Sequence, residues 1–294
     1  MRVEWPTFLL IIVCYGSWFV AGFWLFDIAP IAALIVMAVM SAFHSSLTHE
    51  AIHGHPTKYI IFNEALLFLP LSLLHPYRRY RQTHRQHHRN QILTDPFEDP
   101  ESYYWAAWQH KPLPIVMKHL LILNNTMLGR IIMGPLLSFF AFFASEFQLV
   151  RQKAPGVRLA WCLHVPAAAL VILMVQMMGI PLWVYGVAVC WPALSLISLR
   201  SYAEHRWHEA PEGRTIIVEK SPLAWLYLYN NLHLVHHTHP KAPWYELPAL
   251  YQAEKQQWAE RNDSYVYPNY MALWRDFAFR AKEPVVHPAS IESQ

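Results

Sequence analysis

Long stretches without a charged side chain constrain this chain more than any other feature of its sequence. Residues 7–26 contain no Asp, Glu, Lys or Arg, and a helix of about 20 residues crosses a hydrocarbon layer of about 30 Å. Comparable apolar stretches lie at residues 28–49, 159–180 and 181–200. The sequence therefore predicts an all-α integral membrane protein with four transmembrane helices, of which the first is a span and not a cleaved signal.

The positions of Lys and Arg predict how these spans are oriented. Residues 27–30 and 179–182, which link the paired spans, contain neither Lys nor Arg, whereas residues 50–157 and 201–281 contain many. Because cytoplasmic loops are enriched in Lys and Arg, we expect both long segments and both termini to be cytoplasmic.

Two shorter apolar stretches, at residues 60–74 and 131–144, have basic residues on both sides. Their length and flanks favour helices that lie in the membrane interface or re-enter it. They would add to a cytoplasmic helical cap. We therefore predict one domain over residues 1–281, followed by a polar tail at 282–294 that is expected to be disordered.

Composition excludes two other kinds of site. Cys14, Cys162 and Cys190 fall inside apolar stretches without CxxC spacing, so they predict neither a disulfide scaffold nor a thiolate metal site. The formal net charge of +3 provides no overall basic field for binding nucleic acid.

The histidines carry the chemical signal. Half of the 18 fall into four clusters: His49 and His53; His84, His87 and His88; His205; and His233, His236 and His237. On an α-helix, residues three or four positions apart share one side. Each HxxxH or HxxHH motif therefore presents its imidazoles together.

Converging imidazoles indicate a metal centre. Neutral imidazole binds iron, copper, zinc and nickel, and nine ligands are too many for one zinc ion, which takes four. They suit two six-coordinate metals with positions open for O2. All four clusters are predicted to meet at the cytoplasmic membrane boundary. Nearby carboxylates could accept hydrogen bonds from the outer ring nitrogens; the candidates are Glu50, Glu204, Glu209 and Asp95.

The chain resembles the membrane fatty acid desaturase superfamily at these clusters. The matching motifs are His-Glu-Ala-Ile-His-Gly at 49–54, His-Arg-Gln-His-His at 84–88, and Asn-Leu-His-Leu-Val-His-His-Thr-His-Pro at 231–240. The resemblance implies that the nine clustered histidines bind two iron ions. Family members often have Asn four residues before the isolated His, holding a water on one iron; here that position is Ser201.

The resemblance also implies the reaction class. It implies a bacterial fatty acid desaturase of the inner membrane, which would use O2 as co-substrate to introduce a double bond into a lipid or fatty acyl chain. A hydroxylase or ketolase of a carotenoid, alkane or other lipid shares the same histidine pattern, and a His-rich metal transporter without enzymatic activity is a third hypothesis. Because the chain lacks a Rossmann glycine fingerprint and a His-Pro-Gly-Gly haem motif, electrons are expected from a separate ferredoxin, rubredoxin or b-type cytochrome.

Overall fold

The computed structural model describes residues 3–292, apart from the side chains of residues 90, 291 and 292. The described chain is mostly helical. The α-helices are α1 (Trp5–Ile28), α2 (Pro30–His53), α3 (Ile60–Leu66), α4 (Tyr77–His87), α5 (Ala107–His110), α6 (Ile115–Asn124), α7 (Met127–Arg151), α8 (Val157–Met177), α9 (Leu182–Glu204), α10 (His233–Thr238), α11 (Leu247–Ala253), α12 (Lys255–Arg261), α13 (Tyr270–Phe277) and α14 (Ala289–Glu292). A parallel pair of short strands, β1 (Ile217–Val218) and β2 (Val266–Tyr267), is the sheet in these residues.

Five of these helices are long and apolar enough to cross a membrane, judged by length and composition: α1, α2, α7, α8 and α9. The all-α membrane fold class is thereby confirmed, with one more candidate span than the sequence predicted. The additional helix is α7, where residues 131–144 were expected to form an interfacial helix. Pro135 does not end this helix, which continues to Arg151, and prolines are tolerated in membrane helices when other groups satisfy the freed backbone.

The chain divides into two compact units. The first, which we call the apolar unit, comprises residues up to 81 and residues 135–197. In it, α2 is the most buried of the apolar helices and packs against α1 and the π-helical turn within α9. Residues 60–74 form only the short helix α3 and then a non-helical segment. The prediction of a single domain over residues 1–281 stays a prediction.

Side chains of the apolar unit satisfy the carbonyls of that non-helical segment. Tyr15 and Tyr185 donate their hydroxyls to the carbonyl oxygens of Leu69 and Leu71, at 3.2 and 2.6 Å. His164 Nε2 lies 3.2 Å from the carbonyl oxygen of Leu73. A backbone without helical hydrogen bonds needs such partners in apolar surroundings, so these side chains stabilise the segment.

The second unit, which we call the polar unit, comprises residues 82–134 and residues from 198 onward. Its strands pair Ile217 with Val266 and Val218 with Tyr267. Two clusters of buried apolar and aromatic side chains lie around this pair, one including Tyr202, Tyr227 and Leu273 and the other including Val235 and Trp258. Buried apolar surface on both sides of β1 holds the segments before and after it in place.

The C-terminal segment corrects another expectation. Residues from 282 were predicted to be disordered, but Lys282 donates its backbone N–H to Asn125 and His287 donates its own to Trp105, both at 2.9 Å. Val285 is buried, and its carbonyl oxygen accepts a hydrogen bond from Trp105. The prediction is wrong for the described part of this tail, and residues 293–294 lie outside the described residues. The polar composition of this tail gave no indication that its backbone pairs with residues far away in the sequence.

Candidate metal centre

The polar unit collects seven of the nine predicted ligand histidines in two groups. The four-histidine cluster consists of His87, His205, His233 and His237. The three-histidine cluster consists of His84, His88 and His236. Within each cluster, one ring nitrogen from every member lies within 4.8 Å of one ring nitrogen of each other member. Each cluster therefore has ligand atoms close enough together to share one metal ion.

The two HxxHH motifs contribute to these clusters in a crossed pattern. His84 and His88, four residues apart, belong to the three-histidine cluster, while His87 between them belongs to the other. The second motif does the reverse, because its pair at positions 233 and 237 enters the four-histidine cluster and its middle histidine enters the three-histidine cluster. Helical geometry explains the split, since residues i and i+4 lie about 40° apart and residue i+3 lies about 60° to the other side.

Short distances join the Nε2 atoms within each cluster. His205 Nε2 lies 3.0 Å from the Nε2 atoms of both His87 and His233. His88 Nε2 lies 2.9 Å from that of His84 and 3.2 Å from that of His236. The two clusters are adjacent, because the rings of His88 and His237 stack with their centroids 4.2 Å apart.

Acceptor groups hold the outer nitrogens of three of these rings. The Nδ1 atom of His87 lies 2.8 Å from Asp99 Oδ1, and that of His84 lies 2.8 Å from Glu101 Oε1. His233 Nδ1 lies 3.0 Å from the side-chain oxygen of Asn230. A hydrogen bond of this kind fixes both the tautomer and the direction of a metal-binding imidazole.

Asn230 and Asp99 are themselves fixed. The amide nitrogen of Asn230 donates to Glu204 Oε1 at 2.9 Å, which leaves its oxygen facing His233. Both carboxylate oxygens of Asp99 accept backbone N–H groups, from Thr94 and from Glu101, each at 2.9 Å. These contacts preset the orientation of the rings that they hold.

The donor set fits a metal ion. A carboxylate or an amide oxygen only accepts hydrogen bonds, so the Nδ1 atoms of His87 and His233 carry the protons in the neutral rings. Their Nε2 lone pairs then converge on His205 at 3.0 Å. Converging lone pairs repel each other unless a cation lies between them, and neutral imidazole is the form that binds metals.

Burial keeps most of these rings neutral. Desolvation lowers the pKa values of His84, His205, His233 and His237 well below the usual value near 6.5. His87 differs. Burial would lower its pKa, but the carboxylates of Glu101 and Asp99 together raise it to about 9. A metal binding at His87 must therefore displace a proton.

The other two predicted ligands lie in the apolar unit, at the end of α2. His49 and His53 occupy its last turns, with ring centroids 4.9 Å apart. The helix ends at His53 because Gly54 adopts a left-handed backbone with φ of 104°. The Glu50 carboxylate lies 3.7 Å from His49 Nδ1, which is beyond ordinary hydrogen-bond length.

The remaining predicted carboxylates fall in different places. Glu204 lies 3.6 Å from His233 Nδ1 and acts on it through Asn230. Asp95 Oδ1 accepts the backbone N–H groups of Phe97 and Glu98, which makes it a turn residue. Glu209 is exposed, and its backbone oxygen accepts a hydrogen bond from Arg214.

Ser201 lies one helical turn before His205 on α9. Its hydroxyl donates to the carbonyl oxygen of Ser198 at 3.3 Å, and its side chain also hydrogen-bonds the Tyr103 hydroxyl. The role of Ser201 in holding a metal-bound water stays a prediction.

Sequence reasoning missed Asp99, Glu101 and Asn230. The two acids lie 12 and 17 residues from the histidines that they contact, in a turn-rich segment without periodicity. A usable signal was present, since the polar pair at positions 230 and 231 lies one residue before the second HxxHH motif, and Asp-Pro-Glu at 99–101 begins 11 residues after the first.

Comparison with known proteins agrees with the histidine pattern. The family model described as fatty acid desaturase matches residues 24–269. No curated protein and no solved structure matches the chain significantly. The matched region contains all nine clustered histidines together with Asp99, Glu101 and Asn230.

Proposed function

Because this chain belongs to the fatty acid desaturase family, we propose that it is an O2-dependent membrane oxidoreductase that introduces a carbon–carbon double bond into a lipid acyl chain. One observation carries the proposal: two adjacent histidine clusters whose Nε2 atoms converge while Asp99, Glu101 and Asn230 hold their outer nitrogens. This arrangement supports a pair of metal ions, and the family resemblance supports iron as the metal.

The proposed ligand set is the nine histidines of the sequence motifs. The two clusters of the polar unit supply seven of them, and we assign His49 and His53 to the same function on their motif. Iron, when bound, would supply the activation of O2 and the removal of hydrogen from a methylene group. Overall, the reaction takes two vicinal hydrogens from the chain and consumes O2, two electrons and two protons, yielding an alkene and two water molecules.

The residues of this chain contribute binding and orientation. In the neutral rings, Asp99 and Asn230 keep the protons of His87 and His233 on Nδ1, which leaves both Nε2 atoms as the ligand atoms. Most members of the two clusters are buried, with His87 and His233 each 1% exposed and His84 and His236 each 2% exposed, while His88 and His205 are partly exposed. Exclusion of water suppresses side reactions of reactive intermediates.

The proposal includes the setting of the reaction. The substrate is an acyl lipid within the membrane, and the two electrons come from a separate ferredoxin, rubredoxin or b-type cytochrome. The five apolar helices support an integral membrane location. We propose that four of these helices, α1, α2, α8 and α9, cross a bacterial inner membrane, with the site and both termini on its cytoplasmic side, because Lys and Arg are absent from the two short links.

Lipid profiling tests the reaction. The chain would be expressed with an electron donor in a host lacking desaturases, and its acyl lipids would be analysed by mass spectrometry. We expect acyl chains two hydrogens lighter than those of the empty host. A product that instead carries an added oxygen would identify a hydroxylase or ketolase and contradict desaturation.

Matched variants make the test specific. His87→Ala removes a ring of the four-histidine cluster, whereas His164→Ala removes a buried ring of the apolar unit that contacts Leu73. The new lipid should disappear with the first variant and persist with the second. Metal analysis of purified protein is the independent check, because tightly bound iron supports the enzyme and exchangeable zinc alone supports a transporter.

A further inference from the structure

His205 is held differently from the other histidines of the four-histidine cluster. Its Nε2 atom lies 3.0 Å from those of His87 and His233, yet among the described residues no side-chain acceptor holds its Nδ1 atom, and the ring's other polar neighbour is the backbone of Arg214. By contrast, Asp99 and Asn230 hold the Nδ1 atoms of its two neighbours. The position of His205 therefore depends on its backbone.

That backbone lies just beyond the end of α9, where helical carbonyl groups lack partners within the helix. The Lys282 ammonium supplies the missing donors. Its Nζ atom donates to the carbonyl oxygens of Tyr202 and His205 at 2.6 Å each, and to that of Ala203 at 3.3 Å. A lysine is well suited to this position because it complements the negative end of the helix dipole.

Other contacts fix Lys282 in turn. The Tyr265 hydroxyl lies 3.0 Å from Nζ and donates to the Ala203 carbonyl oxygen. The backbone N–H of Lys282 donates to Asn125, and the side-chain amide of Asn125 donates back to the carbonyl oxygen of Glu283. The ammonium is thus anchored from two sides.

The next residue, Glu283, reaches the segment on the other side of His205. Its carboxylate accepts hydrogen bonds from the Tyr104 hydroxyl at 2.5 Å and from the Trp207 backbone N–H at 3.3 Å. Residues 282 and 283 therefore hold the chain both before and after the isolated histidine. An ion or substrate contact is not needed to explain either side chain.

We propose that Lys282 is a positioning residue for the metal ligand His205, so that the C-terminal segment is part of the metal centre. This inference rests on the proposed function, because it takes His205 to be a ligand. Lys282 acts through the backbone carbonyl oxygens at the end of α9, as Asp99 and Asn230 act through Nδ1 of their histidines.

Metal titration of the purified full chain tests the inference without measuring turnover. Cobalt(II) serves as the probe, because its visible absorption reports the ligand geometry. Lys282→Met removes the ammonium and keeps most of the side-chain volume. We expect wild-type protein to bind two cobalt ions, and Lys282→Met to bind one of them about 10- to 100-fold more weakly with an altered spectrum.

Two further variants keep the test decisive. Lys255→Met is the control, because Lys255 is 55% exposed at its side chain and pairs with Glu219; it should titrate like wild type. Tyr265→Phe removes only a hydroxyl and should lower the binding affinity for the same cobalt ion, but by less than Lys282→Met does. If Lys282→Met does not fold, as judged by circular dichroism, the cobalt titration of Tyr265→Phe tests the role of Lys282 instead.

The outcomes separate the inference from the proposed function. Two cobalt ions bound by Lys282→Met with wild-type affinity and spectrum would overturn the role of Lys282 alone. The same result for Tyr265→Phe would overturn it if the lysine variant is unfolded. Wild-type protein that binds no cobalt pair would instead remove the two-metal centre on which the proposed function depends.

Discussion

Buried histidines occur in both units, and their surroundings differ. In the apolar unit, His164 Nε2 contacts the Leu73 carbonyl oxygen and His44 Nε2 contacts the Tyr15 hydroxyl. The Nε2 atom of each of these rings therefore has a polar group of the protein as its hydrogen-bond partner. In the polar unit, Nε2 atoms face other Nε2 atoms, as His205 does with His87 and His233.

The difference shows which property distinguishes the candidate metal centre from other buried histidines. Burial alone does not, since His44 and His164 are 6% and 7% exposed and His87 is 1% exposed. The distinguishing features are the convergence of lone pairs and the acceptors behind them, such as Asp99 behind His87. His44 and His164 form hydrogen bonds that stabilise the fold, whereas the Nε2 atoms of the clustered histidines converge on one another.

The largest expected effect separates the two kinds of histidine. His87→Ala should abolish turnover and metal binding by the four-histidine cluster, because it removes a proposed ligand. Metal content by plasma mass spectrometry and lipid product formation are the measurements. His44→Ala is the matched control and should keep its metal. A fully active His87→Ala variant would refute the assignment of the cluster.

The next effect concerns the acceptor behind the ligand. All contacts to the Asp99 carboxylate come from donors, namely His87 Nδ1 and the backbone N–H groups of Thr94 and Glu101. In Asp99→Asn the new NH2 group must face one of those donors, so metal affinity should fall about 10- to 100-fold. Equilibrium dialysis measures the change.

Asp95→Asn provides the control for that substitution. One side-chain oxygen of Asp95 accepts both backbone hydrogen bonds of its turn, and an asparagine can do the same. Metal affinity should stay at the wild-type value. Equal losses in the Asp95 and Asp99 variants would mean that the Asp99 contact has no particular role.

A smaller, pH-dependent effect follows from the raised pKa of His87. In the metal-free chain this pKa is about 9, so the ring is protonated near neutral pH and metal binding must release its proton. Metal affinity should therefore rise with pH, by at most about tenfold per unit, and level off above the pKa. Calorimetry in buffers of different ionisation enthalpy would measure the released proton.

The rings of His205, His233 and His237 have pKa values well below 6.5, so they add no proton to this count. Asp99→Asn removes one of the carboxylates that raise the pKa of His87, and should reduce the release. Binding without any proton release near neutral pH would contradict the protonated state of His87.

The smallest effect belongs to the apolar unit. His164→Ala leaves the carbonyl oxygen of Leu73 without its side-chain partner, which should cost about 1–3 kcal/mol of stability. Thermal unfolding in detergent would show a lower midpoint with unchanged metal content. Loss of bound metal in this variant would erase the distinction between structural and metal-binding histidines.

Local sequence patterns determined a large part of this protein. Uncharged stretches predicted α1, α2, α8 and α9, because helix length and bilayer thickness are tied by a fixed rise per residue. HxxHH spacing predicted clustered imidazoles for the same geometric reason. A local pattern also misled, since the short length and basic flanks of residues 131–144 predicted an interfacial or re-entrant helix, whereas α7 runs from Met127 to Arg151.

Only the tertiary structure decided which cluster each imidazole joins and which groups its ring nitrogens contact. It assigned His87 and His88, neighbours in sequence, to different clusters, and it brought Asp99 behind one of them. It also placed Lys282 at the end of the helix that precedes His205, 77 residues away along the chain. Spacing along one helix fixes only the direction of a side chain, whereas convergence and hydrogen-bond partners depend on segments that meet only after folding.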